Sequence, residues 1–108
     1  MLAKKYRLPI QHFYKKPGKA VKNSFFLVKS SVSNELFSMF GVAVGTKVHK
    51  LAVRRNALRR AAYRYIQTNG LYRRPGKNVM ITVLPPAKEL SKKEFKVALE
   101  ELFLKIFD

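Results

Sequence analysis

The chain has 108 residues, which is enough for one hydrophobic core and too few for two, so we expect a single domain over residues 1–108. Lysine and arginine number 23 against 6 acidic residues, a formal charge of +17, yet 47% of the residues are hydrophobic. This hydrophobic content argues against a disordered chain, and the charge indicates a polyanionic partner, either nucleic acid or an anionic membrane. The absence of cysteine excludes disulfides and thiolate metal sites.

The membrane is the weaker of these two partners. No segment approaches the about 18 apolar residues that a spanning helix needs, and the cations are spread over several elements instead of one surface helix. No apolar stretch follows the basic residues 1–7, so we expect no signal peptide and a cytoplasmic protein.

A short N-terminal helix is predicted over residues 9–14. Pro9 suits the first turn of a helix, and Pro17 would help to end it. The helix would present Phe13 and Tyr14, which we expect in the core, with stacking on nucleic acid as the alternative.

Two extended segments follow the N-terminal helix. Residues 24–30 are aromatic and β-branched and lie between turn-forming residues, which predicts a strand. Residues 35–45 form a second extended stretch, and we expect the two to pair as a hairpin. Gly41 within the second stretch predicts a bulge or the close approach of another backbone or a ligand, so this stretch could divide into two strands.

A helix, a basic connection and a strand come next. The helix is predicted from about Leu51 to about Gln67, with Gly70 supplying the left-handed conformation that helix ends favour. Residues 71–77 form the connection. Residues 78–84 are almost continuously apolar and precede two prolines, which predicts a buried strand in the centre of its sheet.

The chain ends in a predicted amphipathic helix. Ser91 and Glu94 have the spacing of a capping box, in which each side chain satisfies a backbone amide of the other residue. The apolar positions that follow at helical spacing predict a core-facing stripe of Phe95, Ala98, Leu99, Leu102, Phe103 and Ile106.

Residues 47–64, here called the basic segment, hold eight basic side chains if His49 is counted, and no acid. Exposed helices usually interleave acids with cations, but no acid occurs between Glu35 and Glu89, which favours an anionic partner over simple solvation. On a regular helix one side would carry Leu51, Leu58, Ala61, Ala62 and Tyr65, and the other Arg55, Asn56, Arg59, Arg60 and Tyr63. Arg54 would project on the first side, so we expect it at or before the first turn.

The order of elements predicts an α+β fold. We expect a two-layer sandwich, in which three helices accompany a small mixed sheet of three or four strands in the order α-β-β(-β)-α-β-α. Five of the six acids lie in or near the last helix, so the charge is polarised towards the basic segment.

No catalytic constellation is present in the sequence. His12 and His49 lie among cations without a carboxylate to orient them, and Glu100 and Glu101 face different directions on a helix. There is no glycine-rich phosphate loop and no Cys/His finger. The residues predict a binding protein with no catalytic residue and no metal site of its own.

Two motifs resemble the protein subunit of bacterial ribonuclease P. In that family a strand of the form Gly-hydrophobic-small-Val-small-x-Lys precedes a helix whose core block is Arg-Asn-Arg-hydrophobic-Lys/Arg-Arg. Residues 41–47 read GVAVGTK and residues 55–60 read RNALRR, with Ala57 in place of the second arginine. The order of the remaining elements is also similar, so the resemblance covers nearly the whole chain.

The resemblance implies a function and a set of sites. The family's catalytic RNA removes the 5′ leader of precursor tRNA with Mg²⁺ bound mainly by the RNA. The protein, expected as a monomer without RNA, grips that RNA and binds the leader in a cleft between its sheet and first helix. The matching RNA-binding positions are Arg55, Asn56, Arg59 and Arg60, with Lys47, Lys50 and Arg54 as neighbours. Phe13, Phe26 and Val28 match the leader cleft, and the family fold includes a left-handed βαβ crossover.

Two other functions use the same cations. A ribosomal-type or other structural RNA-binding protein would need the basic segment without any role in cleavage. A double-stranded DNA binder is disfavoured, because no turn and partner helix of a helix-turn-helix precede the basic helix.

Overall fold

The computed structural model describes residues 6–8, 18–32, 35–74 and 76–107. The helix predicted over residues 9–14 lies outside these ranges. In chain order the structure contains β1 (Lys19–Lys22), β2 (Phe26–Val32), β3 (Met39–Val44), α1 (Ala52–Thr68), β4 (Lys77–Val83) and α2 (Lys92–Phe107). Short 3-10 turns at Leu71–Arg73 and Pro85–Glu89 follow α1 and β4.

The strands form one mixed sheet in the order β1-β2-β4-β3. β2 is antiparallel to both β1 and β4, whereas β3 is parallel to β4. β4 is therefore a central strand, which confirms the prediction made from its continuous apolar run, and the mixed sheet with its helices confirms the α+β class. The left-handedness of the β3-α1-β4 crossover stays a prediction.

The predicted hairpin of residues 24–30 with residues 35–45 is wrong. β3 pairs with β4, from Met39 opposite Asn78 to Val44 opposite Val83. The hairpin partner of β2 is β1, a short strand that was not predicted, because its four residues are mostly exposed and only one of them is β-branched. Parallel pairing through α1 gives the apolar β4 a neighbour on each side, which a β2-β3 hairpin would not do.

Gly41 is a point of close approach, as its position in the strand predicted. A Cβ at this residue would lie 2.8 Å from Cε of Met80 and 3.0 Å from the carbonyl oxygen of Leu8. The Leu8 N–H donates to the Phe40 carbonyl at 2.8 Å, so the N-terminal segment runs directly over Gly41. The pairing of β3 with β4 is continuous across Gly41, so the stretch neither bulges nor divides into two strands.

Both helices cover the same face of the sheet. The buried cluster combines alternate strand residues such as Phe26, Val28, Phe40 and Ile81 with the helices. All six residues of the stripe predicted for α2 are buried in it: Phe95, Ala98, Leu99, Leu102, Phe103 and Ile106. A second, smaller cluster on the opposite face is formed by Leu8 and Met80, with Met39 and Ala43 against them.

The predicted helix boundaries agree with the structure. Gly70 has φ +62° after the end of α1, and its N–H donates to the carbonyl of Gln67. At the start of α2 the Ser91 N–H donates to Oε1 of Glu94 at 2.9 Å, and the Glu94 N–H donates to Oγ of Ser91 at 3.2 Å. The capping box is thus confirmed. No helix among the described residues has the length and apolar character needed to cross a membrane.

Candidate nucleic-acid interface

Helix α1 is rotated relative to the prediction. Its buried residues are Ala62, Tyr63 and Ile66, so Tyr63, predicted on the cationic side, packs in the core at 7% exposure. Leu51, predicted on the packed side, is 55% exposed because it precedes the helix in an extended conformation. Both predictions are wrong for the same reason: the helix contacts the sheet through its C-terminal half, and its N-terminal half extends beyond the core.

Arg55 and Arg59 lie on the same stripe of α1 as Ala62 and Ile66, one to three turns earlier. Both arginines are half-buried, whereas Arg60 is exposed. The stripe that forms the core at one end of α1 therefore carries cations at the other end. Half-buried guanidinium groups need hydrogen-bond acceptors, and neighbouring residues of the chain supply them.

The Arg55 guanidinium binds the loop that precedes α1. Its Nη1 donates to the carbonyl of His49 at 2.9 Å and to that of Lys50 at 2.8 Å. Since arginine has five N–H donors in a planar fork, the outer edge keeps donors for a phosphate. Arg55 thus fixes the position of the loop relative to the helix and remains charged beside it.

Asn56 and Arg59 form a pair one turn apart on α1. Nη1 of Arg59 donates to Oδ1 of Asn56, which restricts the rotamers of both side chains. The charge of Arg59 also reaches the hydroxyl of Tyr63, whose pKa is raised by burial, with smaller opposing effects from the Val42 backbone and the nearby arginines. Pairing therefore holds Arg59 in place before any ligand binds.

The other predicted RNA-binding residues surround this pair. Lys47 and Lys50 are exposed in the loop between β3 and α1, and Arg54 is exposed in the first turn of α1, as predicted. The loop and the N-terminal half of α1 form one continuous surface, here called the basic face, which comprises Lys47, Lys50, Arg54, Arg55, Asn56, Arg59 and Arg60. Ala57 is exposed within it and leaves a gap between the arginines.

Two of the three predicted leader-cleft residues, Phe26 and Val28, lie in the hydrophobic core. Phe13 lies outside the described residues. Phe26 and Val28 have no exposed surface and pack beneath the helices, so they cannot contact a ligand, and this prediction is wrong. Leu27 and Lys29 occupy the alternate positions of β2 and point to the opposite face of the sheet.

This opposite face, here called the open face, is the side of the sheet that the two helices do not cover. Its exposed or half-buried positions are Ala20, Lys22, Leu27, Lys29, Met39, Ala43, Asn78 and Thr82. The sequence of β2 indicates which face this is. One alternating set of its residues contains Lys29, whereas the other set contains no charged residue. Alternation alone distinguishes the two faces, and the lysine identifies the face away from the core.

The acidic residues that the structure describes do not assemble a metal site. No group of three or more histidine, cysteine, aspartate or glutamate side chains occurs among the residues that the structure describes. Mg²⁺ prefers carboxylate and other oxygen ligands, and the basic face offers no carboxylate. The residues of this face fit phosphate groups and do not fit a resident divalent cation.

Comparisons with known proteins identify the family and the fold of the chain. The family model described as Ribonuclease P matches residues 3–107. The RNase P protein from Staphylococcus aureus is 29% identical, with a TM-score of 0.70, and the match covers 98% of this chain and 92% of that chain.

Two further solved structures have the same fold. A Staphylococcus aureus RNase P protein mutant with defective mRNA degradation activity is 27% identical, with a TM-score of 0.82 and coverage of 95% of this chain and 88% of that one. The RNase P protein from Thermotoga maritima is 21% identical, with a TM-score of 0.77 and coverage of 89% and 93%, and its likeness supports the fold alone. The comparison with curated proteins found no match. Because the family model spans nearly the whole chain, this chain belongs to the ribonuclease P protein family.

Proposed function

We propose that this ribonuclease P protein binds the catalytic RNA through its basic face and the 5′ leader of precursor tRNA across its open face. By holding both, it assists Mg²⁺-dependent removal of the leader. Family membership supports a component of a tRNA-processing ribonucleoprotein with an RNA partner. The observation that carries the finer assignment is the basic face itself, in which Arg55 and Arg59 are positioned by the chain's own backbone and side chains.

The basic face is suited to phosphates in a fixed arrangement. Arginine guanidinium groups make bidentate contacts to phosphate and also stack on bases. Arg55 is held by two carbonyl groups and Arg59 by Asn56. Binding therefore costs these side chains less conformational entropy than it costs free surface arginines.

The open face is suited to a single strand. Lys22 and Lys29 are exposed there, and the apolar side chain of Leu27 neighbours both, since Lys22 is opposite Leu27 in the sheet and Lys29 is two residues along the same strand. Single-stranded sites combine cations that follow the backbone with surfaces that accept bases of any sequence. A leader, which differs in sequence from one tRNA to another, needs a site of this kind.

The chemical step is assigned to the RNA. The described acids form no Mg²⁺ site, and no described histidine is paired with a carboxylate. Mg²⁺ would supply charge stabilisation at the scissile phosphate from a site held mainly by the RNA. We assign the protein no catalytic residue, and we propose a cytoplasmic chain that is monomeric without RNA.

Reconstitution tests this function against a purely structural RNA-binding role. The protein is added at low Mg²⁺ to the ribonuclease P RNA of its own source, and removal of the 5′ leader from precursor tRNA is followed. We expect faster cleavage and tighter binding of precursor than of mature tRNA. If the protein changes neither quantity, the structural RNA-binding alternative replaces the proposal.

A matched pair of variants tests the basic face. Arg59→Ala with Arg60→Ala removes two cations from it, whereas Lys93→Ala with Lys105→Ala removes two exposed cations from α2. Loss of two phosphate contacts should make the log-log dependence of RNA affinity on salt shallower by about 1.4 to 1.8. The α2 variant should keep the wild-type slope, and equal slopes in all three proteins would remove Arg59 and Arg60 from the interface.

A further inference from the structure

A groove of about 690 Å³ lies between α1 and a second wall that is formed by the segment leading into α2 and the first turns of α2. It is separate from the open face, because both helices are on the other side of the sheet. Its volume is within the about 300–1,000 Å³ that ligand sites usually occupy. Of the residues that comprise the basic face, only Arg54 also lines this groove, and Ala57 lies where the two surfaces meet.

The rim of the groove is cationic. It is formed by Arg54 and Arg64 from α1 and by Lys88, Lys92 and Lys96 from the second wall. All five are exposed, and no side-chain hydrogen bond or ion pair connects them to a residue within the described ranges. None of the residues lining the groove is acidic, so the five charges repel one another until an anion enters.

The floor of the groove is apolar and aromatic. It consists of Leu58, Ala61, Tyr65, Leu90 and Phe95. The Tyr65 ring is stacked on Phe103, with centroids 5.7 Å apart and planes at 12°, which fixes its orientation. Burial, with a smaller contribution from Glu100, raises the pKa of Tyr65 to about 12, so its hydroxyl stays neutral at physiological pH.

A cationic rim above an apolar floor matches a nucleotide better than an inorganic anion. A free phosphate would use the rim and leave the floor in contact with water. A nucleotide in a single strand uses both, because its phosphates reach the cations and its base covers apolar and aromatic surface. A duplex would present only phosphates, since its bases are paired and stacked.

The position of the groove identifies which RNA would enter it. Arg60 belongs to the basic face and Arg64 to the groove, and residues four apart are neighbours on a helix surface. An RNA lying on the basic face can therefore continue over α1 into the groove. We propose that the groove holds an unpaired segment of the same ribonuclease P RNA that the basic face binds, an inference that rests on the proposed function.

Two double variants of α2 test the groove. Lys92→Gln with Lys96→Gln removes two rim charges, and Lys93→Gln with Lys105→Gln removes two exposed charges of the same helix outside the groove. The measurement is the affinity of each protein for ribonuclease P RNA as a function of salt. We expect the first variant to have a slope shallower by about 1.4 than wild type, as for two lost single-strand phosphate contacts.

The control variant has the same net charge, so equal slopes in the two variants would overturn the inference. That result would also follow if the groove bound an acidic peptide instead of RNA. Wild-type protein that bound ribonuclease P RNA and accelerated cleavage would still support the proposed function in that case. Wild-type protein that did neither would contradict the function itself, and the groove assignment with it.

A tethered probe tests the occupant directly. The chain has no cysteine, so Thr68→Cys provides one attachment point for an iron-EDTA group at the exposed end of α1 in the groove. We expect the radicals released there to cut unpaired nucleotides of the ribonuclease P RNA within the complex. Cuts only in duplex regions, cuts only in the tRNA leader, or no cuts at all would each contradict the assignment.

Discussion

Arg55 belongs to the basic face, yet its nearest partners are protein carbonyl groups. Its two hydrogen bonds to His49 and Lys50 connect the loop after β3 to the first turns of α1. Arg60, five residues later, is exposed and has no such bond within the described chain. Arg55 and Arg60 look equivalent in the sequence, but replacing them should have different effects. Loss of Arg55 also removes the hydrogen bonds that order the loop, whereas loss of Arg60 does not.

Gly41 is required by the space around it. Its missing Cβ makes room for Cε of Met80 and for the backbone of Leu8, at 2.8 and 3.0 Å from where a Cβ would be. We expect Gly41→Ala to lower the free energy of unfolding by about 1–3 kcal/mol, because the Leu8 carbonyl, unlike the flexible Met80, can move only with its backbone. Urea denaturation followed by circular dichroism measures the change.

Gly45 is the matched control for Gly41. A Cβ at Gly45 would meet no atom within 4 Å, and its φ is not in the left-handed region. Gly45→Ala should therefore leave the stability unchanged or raise it by about 0.4–1 kcal/mol, since alanine restricts the unfolded chain. An equal loss of stability in both variants would show that crowding is not the reason for glycine at position 41.

At the scale of elements, the sequence correctly predicted the helices and strands that can be recognised from their own residues alone. The α2 stripe repeats at helical spacing behind a capping box. β4 is an almost continuous apolar run, because Val79, Ile81 and Val83 lie under the helices and Met80 packs against Leu8 on the other face. Each pattern specifies one structure. The fold class followed from the order of these elements, and the basic residues of α1 were identified because seventeen helical residues contain no acid.

The elements that depend on distant partners were not predicted. β1 is a four-residue strand of mostly exposed side chains, and only its pairing with β2 makes it a strand. The β2-β3 hairpin failed because adjacency in sequence favours local pairing, whereas β3 gains a buried neighbour through α1. The buried side of α1 was predicted wrongly for a similar reason. Arg55 and Arg59 lie on the same stripe of the helix as its core residues, but at the end where no sheet lies beneath them.

The capping box of α2 can be tested at the level of one helix. Ser91→Ala removes the hydroxyl that accepts from the Glu94 N–H, and we expect the free energy of unfolding to fall by about 1 kcal/mol. Ser91→Thr keeps a hydroxyl at the same place and should retain most of the stability. If the threonine variant lost as much stability as the alanine variant, the hydrogen bond would not be the cause.

The same box predicts a pH dependence. Hydrogen bonds from Ser91 lower the pKa of the Glu94 carboxyl below its ordinary value of 4.5. A carboxyl with a lowered pKa in the folded state stabilises the fold above the unfolded-state pKa, and this effect is lost as the pH falls through the folded-state value. Wild type should therefore exceed Glu94→Gln in stability above about pH 4.5, and the difference should shrink in more acidic solution.

On the scale of the whole molecule, a charge of +17 acts against the compact state. The described acids that could offset it lie mostly in or near α2, whereas the basic face and the groove rim have none among their residues. The two proposed RNA sites share α1, so their repulsions add along one helix. RNA binding would relieve both, which makes the folding of this end of the molecule dependent on anions.

We therefore expect the free protein to be partly unfolded at low salt and to gain structure with sulfate. An anion that binds only the folded state stabilises it by about 2.7 kcal/mol when its concentration reaches 100 times its Kd. Helical circular dichroism during urea titration, in sodium sulfate and in sodium chloride of equal ionic strength, measures this gain.

Sulfate also strengthens the burial of apolar surface in any protein, so the Arg59→Gln, Arg60→Gln double variant is compared with wild type as a control. The variant should gain less from sulfate, because it lacks two of the cations that bind it. Equal gains in both proteins, or equal effects of the two salts, would mean that the basic face does not limit the stability of the free chain.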